Sequence, residues 1–211
     1  MYIAGKAILF QRVRIIGMGR RVLAGAFGLS RLAAVVAACF LLAVGTPASA
    51  AVTITFYSKE LGSSFPHAFV TMTGTLDGSG ERIDADFGFT AKAVTPAILM
   101  GKVGGEVISD HGKNYIKGSD KHFSLVLSDQ EYGRVMTTIA RWRSWPQPSY
   151  DLGSHNCIHF VGDLAGTLGM KSEVPRNLTR KPRSYLLYLT RENRAWLEAR
   201  HAAFYGRETA S

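Results

Sequence analysis

The sequence predicts an α+β domain in which an antiparallel sheet packs against helices. Three observations carry this. Segments that alternate like strands come first in the chain, and segments with helical spacing come later. Two of the alternating segments, 67–73 and 83–89, are joined by the turn Asp77-Gly78-Ser79-Gly80, as in a hairpin. Beyond residue 50 about 160 residues remain, enough for one domain with its own core, and they hold no internal repeat.

The elements follow in order. Val52 to Tyr57 alternates β-branched and aromatic residues and reads as a strand. Leu61 to Pro66 is a Gly/Ser/Pro loop. His67 to Thr73 is a second strand, with His67, Phe69 and Thr71 on one face. Ile83 to Phe89 returns beside it. Pro96 to Gly101 is a short helical turn, Gly104-Gly105 breaks it, and Glu106 to Ser109 is a further strand. Lys121 to Leu127 alternates again. Ser128 with Glu131 forms a capping-box pattern, and Tyr132, Val135, Met136, Ile139 and Trp142 then recur at helical spacing up to Pro146. A second helix starts at Asn156, carries Phe160, Leu164 and Leu168 on one stripe, and stops at Gly169. Ser184 to Tyr205 reads as one C-terminal helix.

Charge is placed unevenly. Of the 25 Lys and Arg residues, six precede residue 50 with no acidic neighbour there; the other 19 face all 16 Asp and Glu. The high pI therefore belongs to the N-terminal segment, and nucleic acid is not an expected partner of the folded part. Residues 1–50 read as a secretory signal. Basic residues end at Arg31, an apolar run spans Leu32 to Val44, and Ala48-Ser49-Ala50 is an A-x-A cleavage site. Met18, just before Gly19-Arg20-Arg21, is the expected true start. The apolar run is shorter than the roughly 20 residues a membrane span needs, so the mature chain is not expected to cross a membrane. Val36-Ala37-Ala38-Cys39 also loosely fits a lipidation box. The expected destination is the periplasm or the exterior, with 51–211 as a single domain.

Removal of the signal takes Cys39 and leaves Cys157 as the one cysteine. No internal disulfide is then possible in a compartment that oxidises thiols. A lone thiol there is either a buried small hydrophobe or a reactive group. Cys157 follows a polar turn and opens an apolar helical run, where backbone N–H groups and the helix dipole favour a thiolate. Asn156 is a natural cap for that helix. A nucleophilic cysteine needs a base, and His67 at the start of its strand is best placed. Asp86, or alternatively Asp84, lies on the neighbouring strand and could hold the Nδ1–H of His67. His111, His122 and His201 lie in or beside polar or charged segments. His155 and His159 flank Cys157, but on a helix they would share a face from which Cys157 turns away, so no metal site and no cofactor is expected.

His67-Ala-Phe-Val on an early strand, with Asn156-Cys157-Ile158-His159-Phe160-Val161 on a later helix, resembles the circularly permuted branch of the papain-like superfamily. That branch is related to the NlpC-type cell-wall peptidases and includes lecithin:retinol acyltransferase and its relatives. The likeness covers roughly His67 to Met170. It implies a thiolate attacking a carbonyl, with Cys157 as nucleophile, His67 as base, a covalent acyl-enzyme, an oxyanion held by the Cys157 backbone N–H at the helix start that Asn156 caps, and a third polar residue on the strand after His67, here Asp86 or Asp84. Three functions follow as expectations. The first is an exported cysteine amidase or peptidase acting on cell-wall peptide, with Arg176, Arg180, Lys181 and Arg183 suited to an acidic polymer. The second is a thiol acyltransferase or lipid hydrolase, with Phe65, Phe69, Phe87 and Phe89 lining an acyl groove. The third is a non-catalytic envelope binding module with Cys157 merely buried.

Overall fold

The computed structural model describes residues 51–60, 65–93 and 95–206. The expected signal, the start at Met18, Cys39 and the Leu61–Ser64 part of the first loop lie outside the described residues. The alternating segments become one antiparallel sheet of six strands: β1 Val52–Lys59, β2 His67–Thr75, β3 Arg82–Ala91, β4 Gly105–Ile108, β5 Asp120–Leu127 and β6 Ala203–Phe204, in the order β4-β3-β2-β1-β5-β6. The fold is α+β, as the order of strands and helices implies.

Register fixes which side chains share a face. β1 pairs β2 from Val52 opposite Gly74 to Lys59 opposite His67. β2 pairs β3 from Phe69 opposite Gly88 to Thr75 opposite Arg82, so pairing stops two residues short of His67. Ile54, Phe56, Ala68, Val70, Met72, Phe87 and Phe89 join the main core beneath the helices. Because successive side chains alternate, His67, Phe69, Asp86 and Gly88 fall on the other face. Phe69, Phe87 and Phe89 are 0, 5 and 0 % exposed, so they pack within the protein and do not line an open acyl groove; Phe65 alone of that set is exposed.

Five helices follow or interrupt the strands: α1 Lys113–Lys117, α2 Asp129–Arg143, α3 Cys157–Thr167, α4 Pro182–Glu192 and α5 Arg194–Ala199. The capping box of α2 forms as its spacing predicts. Ser128 Oγ accepts from the Glu131 N–H at 3.2 Å, and Glu131 Oε2 accepts from the Ser128 N–H at 3.0 Å. The stripe of α3 buries Phe160, Leu164 and Leu168 against the sheet and against Ile139 of α2; each such side chain contributes about 1.5–3 kcal/mol.

The C-terminal helix differs from expectation. It breaks at Asn193 into α4 and α5, and the chain then returns as β6 beside β5. The cause is a side chain that competes for backbone groups. Asn193 is buried, accepts from the Lys171 N–H at 2.7 Å, and donates to the carbonyls of Lys171 and Leu189. No helix of the described residues is long and apolar enough to cross a membrane.

Candidate active site

Asn156 and Cys157 occupy the positions their sequence predicts. Asn156 is the N-cap of α3: its Oδ1 accepts from the N–H of Ile158 at 2.9 Å and of His159 at 3.4 Å. Its amide also donates to the carbonyls of Leu152 and Thr179, both at 2.7 Å, tying the preceding turn and the basic segment to the helix start. Cys157 is the first residue of α3 and is 5 % exposed. Its sulfur lies against backbone N–H groups of Ala68, Ile158 and Cys157 itself, each of which favours the thiolate. Ala68 follows His67 directly, so α3 sets the thiol on the β2 backbone where β3 has ceased to pair.

Burial outweighs those N–H groups. It pushes the Cys157 thiol up to about 11, so the group is a neutral thiol at neutral pH. The stabilising donors expected at a helix start are present, and desolvation exceeds them. Tyr150 stands near enough for its ionisation to be opposed by that of Cys157, and burial first of all pushes the phenol far above its ordinary value, leaving it an O–H. It is fixed by two backbone hydrogen bonds to Val103, each 2.9 Å, and its ring stacks on Phe89.

His67 opens β2, as expected, and its ring stacks with Phe69 on the face away from α3. The imidazole and the thiol thus leave the sheet from opposite faces, Cys157 in the core with Ala68 and His67 beside Phe69. Nε2 of His67 is buried and makes no hydrogen bond. Burial, aided by the neighbouring His111, pulls its proton affinity down to about 3, so the ring is neutral.

Asp86 reaches this face too, but it does not hold His67. Its Oδ1 accepts from the backbone N–H of His111 at 3.1 Å and from the ring Nδ1–H of His111. The physical reason is register. Asp86 is opposite Thr71, four residues along β2 from His67, whereas the loop after β4 folds back over the sheet and brings His111 between them. The His111 ring lies 4.5 Å from Phe69 and 5.3 Å from His67, centroid to centroid, and is covered by Tyr115 of α1. Its Nε2 is buried without a hydrogen bond as well. Asp84, the alternative, is exposed.

The two unpartnered Nε2 atoms meet over Gly88. A Cβ at that position would lie 2.5 Å from Nε2 of His67 and 2.8 Å from Nε2 of His111. His111 is the residue that sequence reading misses, because Asp110-His111-Gly112 carries no periodicity. The available signal is Gly88 itself: a glycine inside a strand marks a close approach.

His155 precedes α3 and is held in a bridge to Asp151; its ring stacks on Trp142 at 4.0 Å, and Ser149 accepts its Nδ1–H at 2.6 Å. His159 shares its Nδ1 with Asn156 Oδ1 at 3.0 Å. His122 lies in β5, as the alternation of 121–127 predicts, and is buried there with Nε2 2.8 Å from the Ser58 hydroxyl. Among the described residues no group of three or more His, Cys, Asp or Glu side chains is placed to hold a metal ion.

Comparison with family models, with curated proteins and with solved structures finds no match.

Proposed function

We propose that the protein is an exported thiol hydrolase of permuted papain-like type, cleaving an amide bond in cell-wall peptide through an acyl-enzyme on Cys157. The observation that carries this reading is the docking of the Cys157 thiol, at the N-terminus of α3, onto the N–H of the residue that follows His67. The same helix-start cysteine beside a strand-start histidine is what His67-Ala-Phe-Val and Asn156-Cys157-Ile158-His159-Phe160-Val161 suggest by resemblance.

The resting site is a neutral thiol and a neutral imidazole. Such a pair works by general-base transfer: as Cys157 attacks the carbonyl, its proton passes to His67, which then delivers it to the leaving amine. The N–H groups of Ala68 and Cys157 are donors available to negative charge near the sulfur. This transfer requires the His67 ring to swing from its stack beside Phe69 and His111 toward Ala68 and the thiol. His111, oriented by Asp86, borders that swing and serves as a positioning residue.

The test is release of peptides from purified peptidoglycan by the exported protein, with Cys157→Ala and His67→Ala as comparisons. Release lost in both variants, with folding retained, fits the reading. Release of fatty acid from acyl esters in place of peptide would move it to the lipid-hydrolase class. A binding module draws on one observation, the burial of Cys157 with no imidazole hydrogen-bonded to it. Peptidoglycan binding equal in wild type and Cys157→Ala, with no product in either, would establish that instead.

A further inference from the structure

The chain between β3 and β4 makes an excursion whose base is tightly clamped. The Lys92 N–H donates to the Gly104 carbonyl at 2.9 Å, Val103 and Tyr150 exchange both backbone hydrogen bonds, and the Gln147 amide bonds the N–H and the carbonyl of Gly105 at 2.9 and 3.0 Å. On this clamped base stands a single 3₁₀ turn, Pro96–Leu99, none of whose residues is buried. Leu99 is 76 % and Met100 88 % exposed, the largest exposures of any large apolar side chain among the described residues. A loop clamped at its base that points two adjacent apolar side chains into water is a contact feature, not a packing residue left over.

Its surroundings identify the occupant. Lys92 and Lys102 flank the tip and are exposed, and no acidic residue occurs from 92 to 105. Asp151 faces Lys102 closely enough to feel its charge, so Lys92 carries more of the unbalanced positive charge. Trp145, 40 % exposed, comes just before the Gln147 that clamps the loop. Apolar side chains at a tip, cations behind them and an indole beside the base match the layers of a lipid interface. A protein groove would need a larger contiguous patch than two protruding side chains provide.

We infer that this loop docks the protein onto an anionic phospholipid bilayer, with Leu99 and Met100 entering the acyl boundary and Lys92 and Lys102 against the headgroups. The inference stands apart from the thiol chemistry. It concerns where the protein sits, and it holds or fails whatever Cys157 does.

The test uses the full chain with Cys39→Ser, carrying an environment-sensitive NBD fluorophore on Ala97→Cys, with Arg134→Cys on α2 as the control position. Vesicles of phosphatidylglycerol and phosphatidylcholine in equal parts are compared with phosphatidylcholine alone. The expected result is a blue shift and several-fold brightening at position 97 on the anionic vesicles, little on the neutral ones, and none at position 134. Leu99→Asp in the same background should weaken the lipid titration by about tenfold or more, given loss of an inserted leucine and a charge facing anionic lipid. Unchanged emission at 97 overturns the inference, including the case in which the protein still sediments with vesicles, since binding would then lie elsewhere in the chain. Equal shifts at 97 and 134 overturn it too.

Discussion

Oδ1 of Asp86 accepts two hydrogen bonds from His111, one from its backbone N–H and one from its ring, and so fixes which ring nitrogen carries the proton. With Nδ1 donating to Asp86, Nε2 of His111 is left over Gly88, where Nε2 of His67 also lies. The carboxylate acts on the site through His111, a residue from a different loop than the strand pairing suggests.

Removing the carboxylate leaves the His111 backbone N–H without its acceptor. Asp86→Ala should therefore lower stability by about 2 kcal/mol. In a His111→Ala background the same change should cost about half as much, because the ring bond is already gone while the backbone bond remains. Urea unfolding of the four proteins of this cycle measures the difference, and strict additivity would contradict a shared network.

Gly88→Ala puts a methyl group within 2.5–2.8 Å of both Nε2 atoms. The rings cannot both stay, since His67 is stacked near Phe69 and His111 is packed between Phe69 and Tyr115. A loss of about 1–3 kcal/mol in urea unfolding is expected. Hydrolytic activity, where the proposed function holds, should fall more than stability explains, and a variant with wild-type activity would show that the imidazoles over Gly88 are not part of the chemistry.

Cys157 should alkylate slowly in the folded protein. With the thiol pushed up by burial to about 11, the rate with iodoacetamide rises about tenfold per pH unit between 7 and 9.5, without a plateau. The urea-unfolded chain should level off near the ordinary thiol value of about 8.5. A plateau below pH 8 in the folded protein would reveal a thiolate–imidazolium pair in place of the neutral one.

Acid should weaken the fold through His122. Burial lowers its proton affinity to about 4 in the folded protein, against 6.5 for the ordinary ring. The unfolded chain therefore binds more protons between those values, and stability falls as pH drops through that window. Between pH 7 and pH 5 this histidine alone should cost about 2 kcal/mol. His122→Gln, which can still bond Ser58, should flatten the slope, leaving the part that His67 contributes; an unchanged slope would show that His122 is not depressed in the folded protein.

The sheet, the capped α2 and the Asn156-capped α3 were legible because local rules decide them: alternation from Val52, Ser128 with Glu131, and a cap before an apolar stripe. The break at Asn193 was not, since it depends on Lys171, 22 residues away. At the site, Cys157 at a helix start and His67 at a strand start could be read from order alone. The partner of Asp86 could not, because only the fold-back after β4 decides that His111 reaches it. Nor could the charge state of Cys157, where donor groups visible in the sequence are outweighed by desolvation that appears only after packing.

The two outer strands have a consequence for solubility. β4 has four residues, with exposed Glu106 in the middle, and β6 has two. A sheet margin is a template for another chain in proportion to the length of unpaired backbone it offers. β1 and β2 are interior to the ladder, whereas β3 pairs with β4 only over Gly88–Ala91 and β5 with β6 only over Phe123–Ser124. The margin open to another chain is therefore the outer backbone of Arg82–Phe87 on β3, where the exposed Arg82 and Asp84 place charges that disfavour strand addition.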